Sequence, residues 1–282
     1  MGLINYFDNF GGGAYTSDVP ITGVAISGPS NAGINEPLSL SATIAPTTAT
    51  NVTYAWEGSP LNDGEADVIY ERVFGNELAF DSQIISLTAS NPVSSASDTH
   101  TVAVWDYAAR GVIYDIINGL SSLSNTEKAY TGPVYAYKRW TALRPDFLTL
   151  FKTTDAASED TIRGFEITLH NGNIADEQII FREGDGRGGI QQTILFNIYG
   201  YFTWNDSDKS EIIASSIVNQ AIYALDRDDR LHDGQQFISA ANAQLIAFEP
   251  WLFGSTLVHR ATIQQAVTTY FYNGGTPLTP DS

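Results

Sequence analysis

With 282 residues, 43% of them hydrophobic and 12% aromatic, the chain is long enough for two ordinary domains with a core in each. Its 32 acidic against 14 basic residues leave a net charge of −18, which argues against a nucleic-acid grip, since that needs clustered Lys and Arg. The lack of cysteine excludes disulfides and thiolate metal sites, and no window approaches the roughly 18 consecutive apolar residues of a membrane span.

Residues 1–18 read as an arm: Gly11, Gly12 and Gly13 stand in a row, no periodicity is present, and Tyr6, Phe7, Phe10 and Tyr15 are unusual for a purely solvated tail. Met1 to Phe10 has neither a basic n-region nor an apolar h-region, so no secretory signal is expected, and Tyr6 breaks the myristoylation pattern that Gly2 would open. Residues 19–105 alternate with a period of two, as an antiparallel sandwich does. Leu38, Leu40, Ala42 and Ile44 interleave with Ser39, Ser41 and Thr43, and Val52, Tyr54 and Trp56 with Thr53 and Ala55. Ile85, Leu87 and Ala89 form a further strand, Asn91 and Pro92 turn the chain, and Val102 and Val104 bring it back. These residues resemble the immunoglobulin-like PKD and bacterial Ig-like families, with Tyr54-Ala55-Trp56 placed like their core Trp and Ser86 to Asn91 with Ser97 to Val102 like their final strand pair. The Gly-Asp-Gly turn of PKD modules and the Cys pair of many Ig domains are missing, so the resemblance implies the architecture and no subfamily.

From residue 106 the period changes, and 106–272 read as a second domain, followed by a tail over 273–282. Val112, Ile113, Ile116, Ile117, Leu120 and Leu123 recur at three and four, which predicts an amphipathic helix with Asp106 as N-cap. Pro133 to Trp140 is aromatic and extended, and Arg144 to Phe151 predicts a short helix. Thr161 to His170 predicts a strand with Ile162, Gly164, Glu166 and Thr168 on one face and Phe165, Ile167 and Leu169 on the other, and Ile179 to Glu183 a shorter one. Thr193 to Trp204 is a long strand. Asp208 and Glu211 then have the spacing of a helix N-cap and its N3 partner, and Ile213, Ile217, Ala221 and Leu225, with Ile212 and Ile222 beside them, give the helix an apolar stripe. After a loop rich in Gly, Gln and Asn the last core strand falls within Ser255 to Phe271. The predicted fold is thus an N-terminal all-β Ig-like sandwich plus a C-terminal α+β domain, its helices packed on one face of a mostly antiparallel sheet.

Four places in 106–272 resemble the phage tail terminator family, ring-forming proteins that cap the head-proximal end of a tail tube. They are the helix Gly111 to Leu123, the strand Ile162 to Ile167, the run Phe196 to Phe202 with Asp206, Ser207, Asp208, Ser210 and Glu211 after it, and the closing strand Leu252 to Ala261. The resemblance implies a homohexameric ring in the neck of a virion, assembled in the host cytoplasm. Its partners would be the tail tube protein, the head-completion connector and, in a contractile tail, the sheath, and DNA would pass through the lumen unbound. A preceding Ig-like module is not part of the minimal family and implies an ornamented virion. Other neck or tail-completion proteins of similar fold are a close alternative. The rival class is an extracellular carbohydrate-binding or adhesion protein, with Trp56, Trp140, Trp204 and Trp251 as sugar platforms.

No enzyme chemistry is expected. Gly184 to Gly189 lacks the Lys-Ser/Thr pair of a P-loop and precedes a strand, so it reads as a hairpin loop with Arg182, Asp185 and Arg187 as contact charges. The acidic groups Asp206, Asp208, Asp226, Asp228, Asp229 and Asp233 do not supply an EF-hand set, and His100, His170, His232 and His259 have no short metal spacing. No Gly-x-Ser-x-Gly elbow occurs. Neither cofactor nor metal is expected, and Arg182, Asp185, Arg187, Asp206, Asp208 and His259 are the candidate subunit or partner contacts.

Overall fold

The computed structural model describes residues 18–34, 36–57, 68–74, 81–122, 132–137, 149–154, 160–170, 175–181, 188–204, 209–232, 237–253 and 256–272. Among the described residues the chain is mostly β, in three sheets.

Two sheets come from the first third. One has the order β1-β3-β5, from β1 (Gly23–Ser27), β3 (Pro37–Ala45) and β5 (Ile69–Val73). The other has the order β2-β7-β6-β4, from β2 (Asn31–Gly33), β4 (Thr53–Glu57), β6 (Ser82–Asn91) and β7 (Ser94–Trp105). The alternation in β3 turns Leu38, Leu40 and Ala42 inward and Ser39, Ser41 and Thr43 outward. The inward residues share one core with Tyr70 of β5 and, from the other sheet, Trp56, Ile85, Leu87, Val102 and Val104. Trp56 and Tyr70 meet at 5.2 Å between ring centroids. The turn after β6 is held by Asn91, whose Oδ1 accepts the N–H of Ser94 at 2.9 Å while its Nδ2 donates to the Val19 carbonyl at 2.8 Å.

The third sheet contains eight strands: β8 (Val134–Tyr135), β9 (Lys152–Thr154), β10 (Asp160–Leu169), β11 (Ala175–Phe181), β12 (Gly188–Thr203), β13 (Ser239–Ala240), β14 (Gln244–Phe253) and β15 (Thr256–Tyr272). Its spine is the antiparallel pair β12 and β15, in register from Gly189↔Tyr272 to Thr203↔Val258. On one side of the spine β10 and β11 pair with β12, and on the other β13 and β14 pair with β15. One sheet face carries Phe165, Ile167, Phe196, Ile198, Phe202, Ala261, Ile263 and Val267. Onto it pack Val112, Ile113, Ile116 and Ile117 of α1 (Ala108–Asn118) and Ala214, Ile217, Val218, Ala221 and Leu225 of α2 (Ser210–Arg227). A short helix α3 (Asp229–His232) follows and buries Leu231.

Several expectations shift. Helix α1 starts at Ala108 and passes into a 3-10 turn at Gly119–Ser122 rather than running from Gly111 to Leu123. Asp106 is not its cap. Tyr107 occupies that position and makes no side-chain capping bond, while the Asp106 carboxylate is engaged by Arg110, through Nε at 2.7 Å and Nη2 at 2.8 Å. The cap residue of α2 is Lys209, in the left-handed region at φ 52°, one position after Asp208. Ile212, expected beside the buried stripe, is 60% exposed. The shorter strand expected over 179–183 is present over 179–181 and starts earlier, at Ala175, and residues 182–183 lie outside the described residues. Strands β1, β2, β5, β9, β13 and β14 have no counterpart among the expected elements. Of the predicted helix over 144–151, residues 149–151 are described and are helical; the arm over 1–17 and the tail over 273–282 lie outside the described residues.

Candidate functional site

The face of the eight-stranded sheet opposite α1 and α2 mixes polar side chains with a small cluster of Phe151, Ile162, Tyr201 and Val258. Alternation along β10 and β12 sets Glu166, Asn197, Tyr199 and Tyr201 opposite the core residues between them. Tyr201 donates its hydroxyl to Glu166 Oε1 at 2.9 Å, and both residues are buried. Burial, with the Glu166 charge second, pushes the Tyr201 phenol well above its ordinary range, so it stays a proton donor at any physiological pH. Asn197 donates to the Tyr199 hydroxyl at 3.2 Å and lies 3.1 Å from His170 Nδ1, and Gln264 Nε2 reaches Asn197 Oδ1 at 3.2 Å. Phe151 closes one end of this face, with its ring 4.9 Å from that of Tyr201. These contacts form a hydrogen-bonded lattice across the face. Among the described residues no group of three His, Cys, Asp or Glu could hold a metal ion.

Strand β14 carries several of the exposed apolar side chains. Among the described residues its far edge pairs with no other strand, and Leu245, Ile246, Trp251 and Leu252 are all exposed. Leu252 stands opposite Leu257 of β15 in the register, and these two are 61% and 38% exposed, which makes an apolar tip where the β14–β15 hairpin turns. Arg260 braces the neighbouring surface: its guanidinium lies 3.6 Å from the Trp251 ring centroid and pairs with Glu249. A register shift between Leu245 and Ala247, and Pro250 within the strand, are the features by which an edge limits indiscriminate pairing.

No family model matches the chain, and no curated protein matches it in sequence. Among solved structures it is similar to the PKD domain of an M14-like peptidase from Thermoplasmatales archaeon SCGC AB-540-F20. The identity is 17%, over 32% of this chain and 99% of that one, with a TM-score of 0.25.

Of the six candidate contact residues, Arg182, Asp185, Arg187, Asp206 and Asp208 lie outside the described residues. His259 lies inside the subunit, 3% exposed. Its ring is stacked between Trp204, at 4.3 Å between centroids, and Phe248, at 5.6 Å, and its Nε2 is 2.9 Å from the hydroxyl of Ser210, the first residue of α2. His259 therefore ties the helix to the sheet. Of the four tryptophans considered as sugar platforms, Trp56 is in the core, Trp204 is half-buried on His259 and Trp140 is outside the described residues; Trp251 is exposed but lies under Arg260. The Leu252 and Leu257 tip was missed as a surface because Leu252 to Ala261 reads as one closing strand. Phe253, before the break, and Thr256, after it, in fact pair across a hairpin.

Proposed function

We propose that this chain is a virion structural protein, a tail terminator that closes into a ring on the head-proximal end of a tail tube and joins it to the head-completion connector. In this reading residues 19–105 are an Ig-like module and 106–272 the terminator domain. The observation that carries the reading is the β14 edge, which pairs with no other strand among the described residues and has Leu252 and Leu257 exposed at its tip, on a sheet with α1 and α2 packed on one face.

Such a subunit offers different surfaces at its two sheet edges, so contact between copies is heterologous. A heterologous contact that closes by rotation gives a ring, and one that repeats along an axis gives a tube. A capping protein must match the last tube ring without regenerating the surface on which the next would add. Strand addition suits this purpose because main-chain bonds supply affinity and side chains beside the edge supply choice of partner. The net charge of −18 supports a lumen that DNA traverses without binding. The hydrogen-bonded lattice around Glu166 and Asn197 is assigned a structural role, with no catalysis.

The double variant Leu252→Lys with Leu257→Lys tests the reading. Both residues are exposed, so the folded subunit should keep its circular dichroism and its melting temperature within about 1 °C, since surface changes stay near 0.5 kcal/mol. Ring mass in light scattering, alone or on tail-tube protein, should be lost. A variant that assembles as the parent does would count against the β14 edge.

A further inference from the structure

Strand β2 runs parallel to the end of β7, Asn31↔Ala103 to Gly33↔Trp105, and places a compact polar joint against α1. Asn31 bridges it: its Oδ1 accepts the Trp105 indole N–H at 2.7 Å, and its Nδ2 donates to Asp115 of α1 at 2.8 Å. Trp105 also faces Tyr114 of α1 at 5.7 Å between centroids. Gly111 passes so close to Trp105 and Asn31 that no side chain fits there, and Gly33 is as close to the carboxyl of Glu36.

Glu36 completes the joint. It is 3% exposed, and its Oε2 accepts the N–H of Ala108, the first residue of α1, at 3.2 Å. It thus supplies the bond to the helix start that the Tyr107 cap position lacks. Its other oxygen, Oε1, is buried with no hydrogen-bond partner among the described residues. Among the described residues no cation offsets it. Asn31–Gly33, Ala103–Trp105 and the whole of β3 carry no charge; Arg72 of β5 lies over the Phe74 ring. On the α1 side stand Asp106, of the same sign, and Tyr107, while Arg110 is held by Asp106 and by the carbonyls of Ala136 and Ile167, at 2.6 and 3.0 Å.

We propose that Glu36 is a proton-operated latch on the joint between the first two sheets and α1, closed while its carboxyl is neutral and released when it ionises. The neutral acid fits a buried site in which the Ala108 N–H is the donor that faces it among the described residues. The carboxylate would stand buried beside Asp106 with one oxygen unsolvated, a state that opening the joint to water relieves. Burial, opposed in part by the Ala108 N–H and aided by Asp106, pushes the carboxyl up to about 8, which sets the pH of release. The latch stands on this geometry and does not depend on the assembly proposed above.

The chain has no cysteine, so nitroxide labels can be placed at Ser95→Cys on β7 and Asn219→Cys on α2, both exposed. Double electron–electron resonance should give one narrow distance distribution at about pH 6.5 that broadens toward about pH 9.5, with the midpoint near 8. In the Glu36→Gln background the distribution should stay narrow across that range. A parent distribution that does not change with pH would overturn the latch, and so would a Glu36→Gln protein that broadens over the same interval.

Discussion

A carboxyl group buried without a cation makes a protein less stable as the pH rises, the reverse of the ordinary salt-bridged acid. Glu36 has a folded-state value of about 8 against an ordinary 4.5, so between these two values the folded chain holds a proton that the unfolded chain has released. Its contribution is complete below about 4.5 and is lost as the pH climbs to about 8. Glu36→Gln keeps an acceptor for Ala108 and carries no charge. In denaturant titrations it should match the parent near pH 4.5 and exceed it at pH 8 by as much as about 5 kcal/mol, less where local opening of the joint relieves the charge. Equal stabilities at both pH values would contradict this account. Gly111→Ala should destabilise by about 2–3 kcal/mol, because its methyl group falls on Trp105 and Asn31 in a joint held by hydrogen bonds. His259→Ala removes a ring stacked on both faces and the partner of Ser210, and thermal melts should show a loss of about 2–4 kcal/mol.

At the scale of elements, what was legible followed from periodicity. The alternation of Leu38, Leu40 and Ala42 marked β3, and the two-sided pattern from Ile162 to Leu169 marked the buried and polar faces of β10. The stripe Ile217, Ala221 and Leu225 marked the face of α2 that meets the sheet. What was not legible depended on partners distant in sequence. Asp106 has the right position and chemistry for a cap, but Arg110 one turn later takes its carboxylate, and the bond to the helix start comes from Glu36, 72 residues upstream. Strand β14 escaped because its register shift and Pro250 break the period-two signal, and its residues divide between helix side, Arg260 side and solvent. The β11–β12 hairpin gives a further test of assembly. Replacing residues 182–187 by a two-residue turn leaves the pairing of Phe181 with Gly188 in place. If Arg182, Asp185 and Arg187 are contact charges in the ring, this shortened protein should assemble more weakly at low salt in sedimentation experiments; unchanged mass would remove them from the interface.

For the whole molecule, the proposed capping role would have the first third carried on the outside of an assembly built by the remainder, with the joint at Glu36 between them. Copies of a weak surface site gain avidity when a ring presents them together. The capping role makes a demand that a monomeric adhesion protein does not: the chain must recognise the end of a polymer and stop its growth. The decisive measurement is negative-stain imaging of the purified chain mixed with its tail-tube protein, with solution mass from light scattering on the same samples. The account predicts rings seated at one end of tubes whose length no longer increases. A chain that stays monomeric, leaves tubes growing and decorates neither end would contradict it.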